Sequence, residues 1–401
     1  MPPAAARPNA APLRAALLCI AAVTLARLAF HILFSPFELT ADEAHYWEWS
    51  RRLDWSYYSK GPGIALLIRA ATELLRSDAE WAIRTVPTAS FAIVGIAMAI
   101  LARSLAPASR RAPLFAALLA MLIPGFQGSA LLATIDAPFL ACWATAIAAF
   151  ASLDARLRAG RPIAASALAF GILCGVGFLV KYTMLLLPLG LLLFHIIDPP
   201  KAPTRTRIRG AAIAITTATL CALPVFIWNA QRGWPTIRHL LGHLGIAGSD
   251  VPGDADLPWS FNPMHPLEFL GAQLALVGPA LILMLIALRD RNTSQPDHSA
   301  RRTHLLLACA GLPILLLYLA VSFLTDAEGN WALPAYISLG VLAAATAARA
   351  FERADPPTSP LGAEVVESRP AGTRRVTGAS SSLIRFLWNA SLAYGLIVLF
   401  G

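Results

Sequence analysis

The chain has 401 residues, 57% of them hydrophobic and only 14% charged, with a mean hydropathy of +0.61. Those values exclude a soluble globular protein. The formal charge of +9 is spread over several short polar segments, which reads as membrane topology and not as a nucleic-acid-binding surface.

Arg7 and Arg14 precede an apolar stretch at 15–34. That arrangement could be a signal peptide, but Arg27 and His31 interrupt the stretch and no small-residue cleavage site follows, so it reads as an uncleaved first membrane helix. Ten more apolar segments follow, at about 81–102, 112–124, 131–152, 162–180, 183–197, 210–228, 266–288, 304–324, 333–350 and 383–400. They are rich in Leu, Ala and Ile without period-2 alternation, which favours helices over an outer-membrane barrel. A helix needs about 20 apolar residues to cross a hydrocarbon core of roughly 30 Å. The predicted fold class is therefore an all-α polytopic bundle of about 11 transmembrane helices, the third and sixth of them short.

Residues 1–350 form one membrane domain, 351–382 read as a disordered cytoplasmic linker rich in Pro, Ser, Gly and Arg, and 383–401 is the last transmembrane helix. All five cysteines lie in apolar runs without a CxxC pair, so neither disulfides nor thiolate metal sites are expected. With the N-terminus inside, the segments near 103–111, 156–161, 201–209 and 289–302 fall on the cytoplasmic side, and each is rich in Arg. The outer segments then include two long loops, 35–80 and 229–265, and hold Asp42, Glu43, Asp54, Asp250, Asp254, Asp256, Asp326 and Glu328.

The first outer loop, ELTADEAHYWEWSRRLDWSYYSKGPG at 38–63, carries the strongest chemical signal. Its aromatic residues and the following IALLIRAATELL fit amphipathic helices lying in the membrane interface. Asp42 and Glu43 stand at the membrane face, where a carboxylate can take a proton from an attacking hydroxyl. Asp42 could equally cap the helix that begins AHYWEW. Lys60 is one of three lysines, against 29 arginines. Flanked by Tyr57 and Tyr58, it can hold a phosphate as a point charge or simply anchor an interfacial helix.

Further along, ATIDAPFL at 133–140 puts Asp136 at the start of an apolar segment, as a helix cap or as a second site carboxylate. GFLVKYT at 177–183 places Lys181 on the same side, either as a phosphate contact or as a snorkelling residue. WNAQRGWPTIRHLLGH at 228–243 brings Asn229 there, and EGNWALPAY at 328–336 brings Asn330 and Trp331. His239 and His243 are four residues apart, but no HExxH pattern or third ligand accompanies them, so no metal site is expected.

In this order DEAHYW, LDWSYYSKGPG, TIDAPF, LVKYT, WNAQRGWP and NWALPAY resemble the bacterial members of the dolichyl-phosphate-mannose protein mannosyltransferase superfamily, and the lipid A aminoarabinose transferases. The likeness runs from about residue 20 to 340 and is most specific in the first loop. It implies a GT-C architecture and an inverting transfer from a polyprenyl-phosphate sugar. It further implies Asp42 as general base, Glu43 in support, Lys60 on the donor phosphate and Asp136 as a second acid. Many relatives have Pro after the lysine; here Gly61 follows it.

The function expected is sugar transfer to a glycan, lipid or protein acceptor on the periplasmic side of a bacterial inner membrane. Asp42, Glu43 and Asp136 would be catalytic, and Lys60, Tyr57, Tyr58, Lys181, Asn229 and Trp331 would bind substrate. No cofactor is called for; a divalent metal is compatible with this chemistry but not required. The rival reading is a transporter or flippase of lipid-linked sugars. Its ionisable residues would be expected near the bilayer midplane, not at one face.

Overall fold

Backbone groups in hydrocarbon have no water to bond, so each apolar segment satisfies its own N–H and C=O groups by forming a helix. The computed structural model describes residues 11–35, 37–242, 262–289, 298–354 and 378–400, and among these there are helices and turns but no strand. In chain order α1 (Ala11–Leu33) leads into a loop containing α2 (Ala41–Arg51), α3 (Gly63–Leu75) and the short α4 (Glu80–Ile83). The bundle continues with α5 (Thr85–Leu105), α6 (Ala112–Leu122), α7 (Pro124–Leu131), α8 (Asp136–Arg158) and α9 (Ala164–Val180). A 3-10 turn at Tyr182–Leu185 introduces α10 (Leu186–Ile197), followed by α11 (Thr204–Gln231) and α12 (Pro235–Gly242). The last five helices are α13 (Met264–Val277), α14 (Ala280–Arg289), α15 (His298–Ser322), α16 (Leu333–Ala354) and α17 (Gly378–Phe400).

Among the described residues seven helical segments are long and apolar enough to cross a membrane, or nine if each of two bent pairs counts as one span. This makes the chain a multi-pass membrane protein. The count differs from the eleven expected because Ala164–Val180 and Tyr182–Ile197 are shorter apolar helices. At about 1.5 Å per residue, 17 residues reach roughly 26 Å, less than the usual hydrocarbon thickness.

The bends have local causes. Between α6 and α7 the axis turns by 62° at Pro124, which lacks an N–H to continue the ladder. Side chains cover the carbonyls there: Arg27 donates to Met121 O at 3.2 Å, and Gln127 Nε2 donates to Leu122 O at 3.0 Å and to Gly395 O at 2.9 Å. Arg27, which looked in the sequence like an interruption of α1, is thus a buried donor to a broken helix. Between α13 and α14 the 98° bend falls at Gly278, whose φ of 62° suits glycine, with Pro279 next.

The core is built around α16, where 94% of the most apolar window is buried. Its Ala, Gly and Ser residues let neighbouring backbones approach closely, as membrane helices without a hydrophobic drive to associate require. The same logic joins α9 to α11, where a Cβ at Gly171 would lie 2.5 Å from the Ala214 carbonyl oxygen. By contrast α1, α11 and α17 leave broad Leu and Ile faces exposed, as lipid-facing helices do.

α16 continues to Ala354, so residues 351–354, assigned from sequence to a disordered linker, are helical. The reason is Glu352, whose carboxylate accepts hydrogen bonds from Ser109 Oγ (2.8 Å) and the backbone N–H of Arg110 (2.9 Å) and Arg111 (3.2 Å), ahead of α6. The final helix starts at Gly378, earlier than the expected 383. The rest of that linker, 355–377, lies outside the described residues, as do His243, Asp250, Asp254 and Asp256.

Candidate active site

The first loop is anchored by one buried ion pair. Thr40 caps α2 in a capping box with Glu43, so Asp42 is not the cap that the sequence allowed it to be. Glu43 is fully buried and receives Arg84 twice, Nε on Oε1 and Nη2 on Oε2, both at 3.0 Å. It also accepts the backbone N–H of Thr40 at 3.0 Å and of Ala133 at 2.9 Å. Burial pushes the Glu43 carboxyl up, but the hydrogen bonds from Arg84, Ala133 and Thr40 outweigh it and hold the group below the usual carboxylate range.

Glu43 is therefore a strut, not a cavity residue: it ties α2 to Arg84 between α4 and α5 and to the turn before α8, fixing Asp42 and Asp136 relative to each other. Breaking the pair by Arg84→Met leaves an uncompensated buried carboxylate and is expected to cost about 3–5 kcal/mol of stability. Thermal unfolding in detergent checks this. Because the folded-state value of Glu43 is depressed, its stabilisation is present above an unfolded value of roughly 4.3 and fades as pH falls through the lower one.

Lys60 is placed by the turn around it. Its carbonyl accepts the N–H of Tyr57 at 3.0 Å and Ser56 Oγ at 3.3 Å, and Ser56 Oγ lies 3.3 Å from Tyr182 OH. Gly61 then lies flat on the end of α9, where a Cβ would sit 2.2 Å from the Leu179 carbonyl oxygen. Gly61 is thus a requirement of close approach, and it brings Lys60 beside Lys181. The Lys60 ammonium is half-buried and makes no hydrogen bond or ion pair among the described residues. Burial first, and then the neighbouring Lys181 charge, push its pKa down, opposed by Asp136 and Asp42.

Asp136 is the hub of the far wall. Its carboxylate accepts Lys181 Nζ at 2.9 Å on one oxygen and Asn330 Nδ2 at 2.7 Å on the other. It makes no N-cap bond; the N-cap position of α8 is Ile135. Lys181 sits where α9 gives way to the 3-10 turn, with its ammonium 5.5 Å from the Phe139 ring centroid. Asn330 and Trp331 lie on the 3-10 turn Gly329–Ala332, which Gln273 holds by donating to Gly329 O at 3.2 Å.

These groups share one cavity of about 830 Å³ at the loop end of the bundle. Of the residues expected from sequence, Asp42, Lys60, Asp136, Lys181 and Trp331 line it. Asp42 is exposed and accepts no hydrogen bond among the described residues, whereas both Asp136 oxygens are occupied.

The other four do not line the cavity. Glu43 is the strut. Tyr57 is buried, stacked on Trp49 at 4.2 Å, and donates its hydroxyl to Trp49 O (3.0 Å) and Arg52 O (3.2 Å). Tyr58 is exposed against His239, with ring centroids 4.8 Å apart. Asn229 shapes the turn into α12, donating to Val225 O at 3.0 Å and accepting Thr236 N–H at 3.2 Å.

His45, Tyr46, Tyr182 and Tyr318 also line the cavity, and sequence reasoning gave none of them a role in the site. His45 and Tyr46 stood in the quoted motif; the pocket side of Tyr318 had no local signal, since it is one aromatic residue in an apolar helix. The pairing of Asp54 with Trp228 Nε1 (2.7 Å) and Arg232 (3.2 Å), which clamps the two outer loops together, was equally hidden. Among the described residues no three His, Cys, Asp or Glu side chains gather as a metal site would need.

A polytopic helical bundle with an acidic and lysine-bearing cavity at one end defines the class, a multi-pass membrane protein with a charged site at one face. The family model described as dolichyl-phosphate-mannose-protein mannosyltransferase matches residues 59–228. Lipid A galacturonosyltransferase RgtD of Rhizobium johnstonii is 30% identical over 332 residues, which are 82% of this chain and 65% of that protein, so the chain spans just under two thirds of this curated relative. ArnT from Cupriavidus metallidurans, solved bound to undecaprenyl phosphate, superposes with a TM-score of 0.64 at 18% identity, over 96% of this chain and 70% of that one. The oligosaccharyltransferase of Archaeoglobus fulgidus in its apo form gives a TM-score of 0.62 at 13% identity, over 96% and 55% of the two chains. The likeness to these two solved structures shows a shared GT-C helical fold.

Proposed function

We propose that the protein is a membrane glycosyltransferase, moving a sugar from a polyprenyl-phosphate donor to an acceptor at the periplasmic face of a bacterial inner membrane. The observation that carries this reading is the half-buried Lys60 ammonium, without an anion partner among the described residues, sharing a cavity with an Asp42 carboxylate that those residues leave unengaged. An ammonium in that state favours an anionic ligand, and the solved ArnT complex holds a polyprenyl phosphate.

In the reaction the donor phosphate sits on Lys60, with Trp331 and Tyr318, 5.4 Å apart, forming an aromatic wall for the sugar. An acceptor hydroxyl attacks the anomeric carbon from the face opposite the phosphate and gives its proton to Asp42. The bond from anomeric carbon to phosphate oxygen breaks, its electron pair leaves with the polyprenyl phosphate, and the new glycosidic bond is inverted. Asp136, neutralised by Lys181 and held by Asn330, keeps Lys181 in place to share the charge of the leaving phosphate.

The acceptor class that the galacturonosyltransferase relative supports is a lipid, lipid A in its own case. The ionisable cavity residues lie at one end of the bundle and not at its middle, which supports catalysis over a transporter or flippase. Reconstitution into proteoliposomes with a polyprenyl-phosphate sugar is expected to yield a glycosylated envelope lipid by mass spectrometry. Movement of the intact donor across the bilayer with no glycosidic bond formed would replace this reading by the flippase.

A further inference from the structure

The opposite end of the bundle holds a second cavity, of about 660 Å³, with four cations in its wall. They come from separate elements: Arg158 closes α8, Lys201 follows α10, and Arg301 and Arg302 lie in the first turns of α15. Among the described lining residues Asp198 is the one carboxylate.

Two of the cations are fixed from behind. Asp154 of α8, 1% exposed, accepts Arg158 Nε at 3.2 Å and pairs with Arg302, while His195 Nε2 lies 3.2 Å from the same carboxylate. Arg158 Nη2 also reaches the Asp198 carbonyl at 2.6 Å and its carboxylate at 2.9 Å. Lys201 and Arg301 are exposed and make no ion pair among the described residues.

A bias of Arg toward one side of the membrane requires only that the cations reach water. It does not require a carboxylate buried in a membrane helix, a costly placement, to hold two of them at the wall of a cavity. Among the described residues, four cations against Asp198 and Asp154 leave two net positive charges, suited to a phosphate group.

The rest of the wall points to where that phosphate comes from. Ile197 and Leu305 complete it, and the exposed Leu189, Leu193, Ile196 and Ile197 run along one face of α10 up to its rim. A lipid-facing stripe ending at a basic hollow matches a phospholipid, chains on the stripe and phosphate in the hollow.

We propose that this cavity binds the phosphate headgroup of an anionic membrane lipid, with Lys201 and Arg301 as its mobile contacts and Arg158 and Arg302 as its fixed wall. The full chain in nanodiscs of phosphatidylcholine, with or without phosphatidylglycerol, is the system to test, read by native mass spectrometry of retained lipid. Phosphatidylglycerol is expected to be retained over phosphatidylcholine, and affinity to fall about fivefold for each cation removed in Lys201→Ala and Lys201→Ala/Arg301→Ala. The charge-conserving Lys201→Arg/Arg301→Lys protein should bind as wild type, separating lost charge from lost fold. Equal retention of the two lipids, or no change in the double alanine variant, overturns the proposal. Displacement of phosphatidylglycerol by millimolar inorganic phosphate would assign the cavity to a soluble anion and overturn its assignment to lipid.

Discussion

Asp42→Asn is expected to lower the turnover of sugar transfer by about 10² to 10⁴, the usual contribution of a general base, while leaving the protein folded. Of the three carboxylates that line the cavity, Asp42, Asp136 and Glu328, the first two are not equivalent. Asp136 has one oxygen on Lys181 and the other on Asn330, so its negative charge is already paired and its carboxylate is held in a fixed orientation. Asp42 lies in the same cavity with neither oxygen engaged by the described residues. The change to Asn keeps its size and removes no internal contact, so stability should move by no more than about 0.5 kcal/mol. Steady-state kinetics with a purified donor, together with a melting curve, decide the matter. A variant turning over at more than half the wild-type rate would remove Asp42 from the mechanism.

Lys60→Met should raise the donor KM by roughly a hundredfold, as loss of a desolvated charge contact to phosphate does, with a smaller effect in Lys60→Arg. The pH dependence gives a sharper readout. Only the protonated amine holds the phosphate, and burial together with the Lys181 charge lowers its pKa in the empty cavity. Donor capture is therefore complete below that lowered value and is lost as pH rises through it, earlier than for an ordinary lysine of about 10.4. In Lys60→Arg the guanidinium stays charged, so this alkaline loss should vanish from the kcat/KM profile. Identical alkaline limbs in wild type and Lys60→Arg would assign the limb to another group and take the phosphate from Lys60.

The nature of the fold was legible because its physics is local. A bilayer requires helices of a set length, so the apolar segments named their own boundaries, except where a distant partner intervened. Glu352 extended α16 into polar sequence by capping the start of α6, which no window around residue 352 reveals. Two segments read as crossings proved short, since hydropathy alone does not measure where a helix stops.

Site residues divided along the same line. Residue type and position at a helix end marked Asp42, Lys60, Asp136, Lys181 and Trp331, and all five meet in one cavity. Glu43, beside Asp42 in sequence, points the other way: on a helix, adjacent residues lie about 100° apart. Tyr57 and Asn229 carry polar groups that look available on paper and are spent on backbone partners.

By itself, then, the sequence determined a helical membrane protein with its acids and lysines gathered toward one face, because transfer from water to hydrocarbon acts on each segment separately. Only the tertiary structure decided which charge neutralises which. The Glu43–Arg84 and Asp136–Lys181 pairs join residues 41 and 45 positions apart, and the same packing left Asp42 and Lys60 open to the cavity.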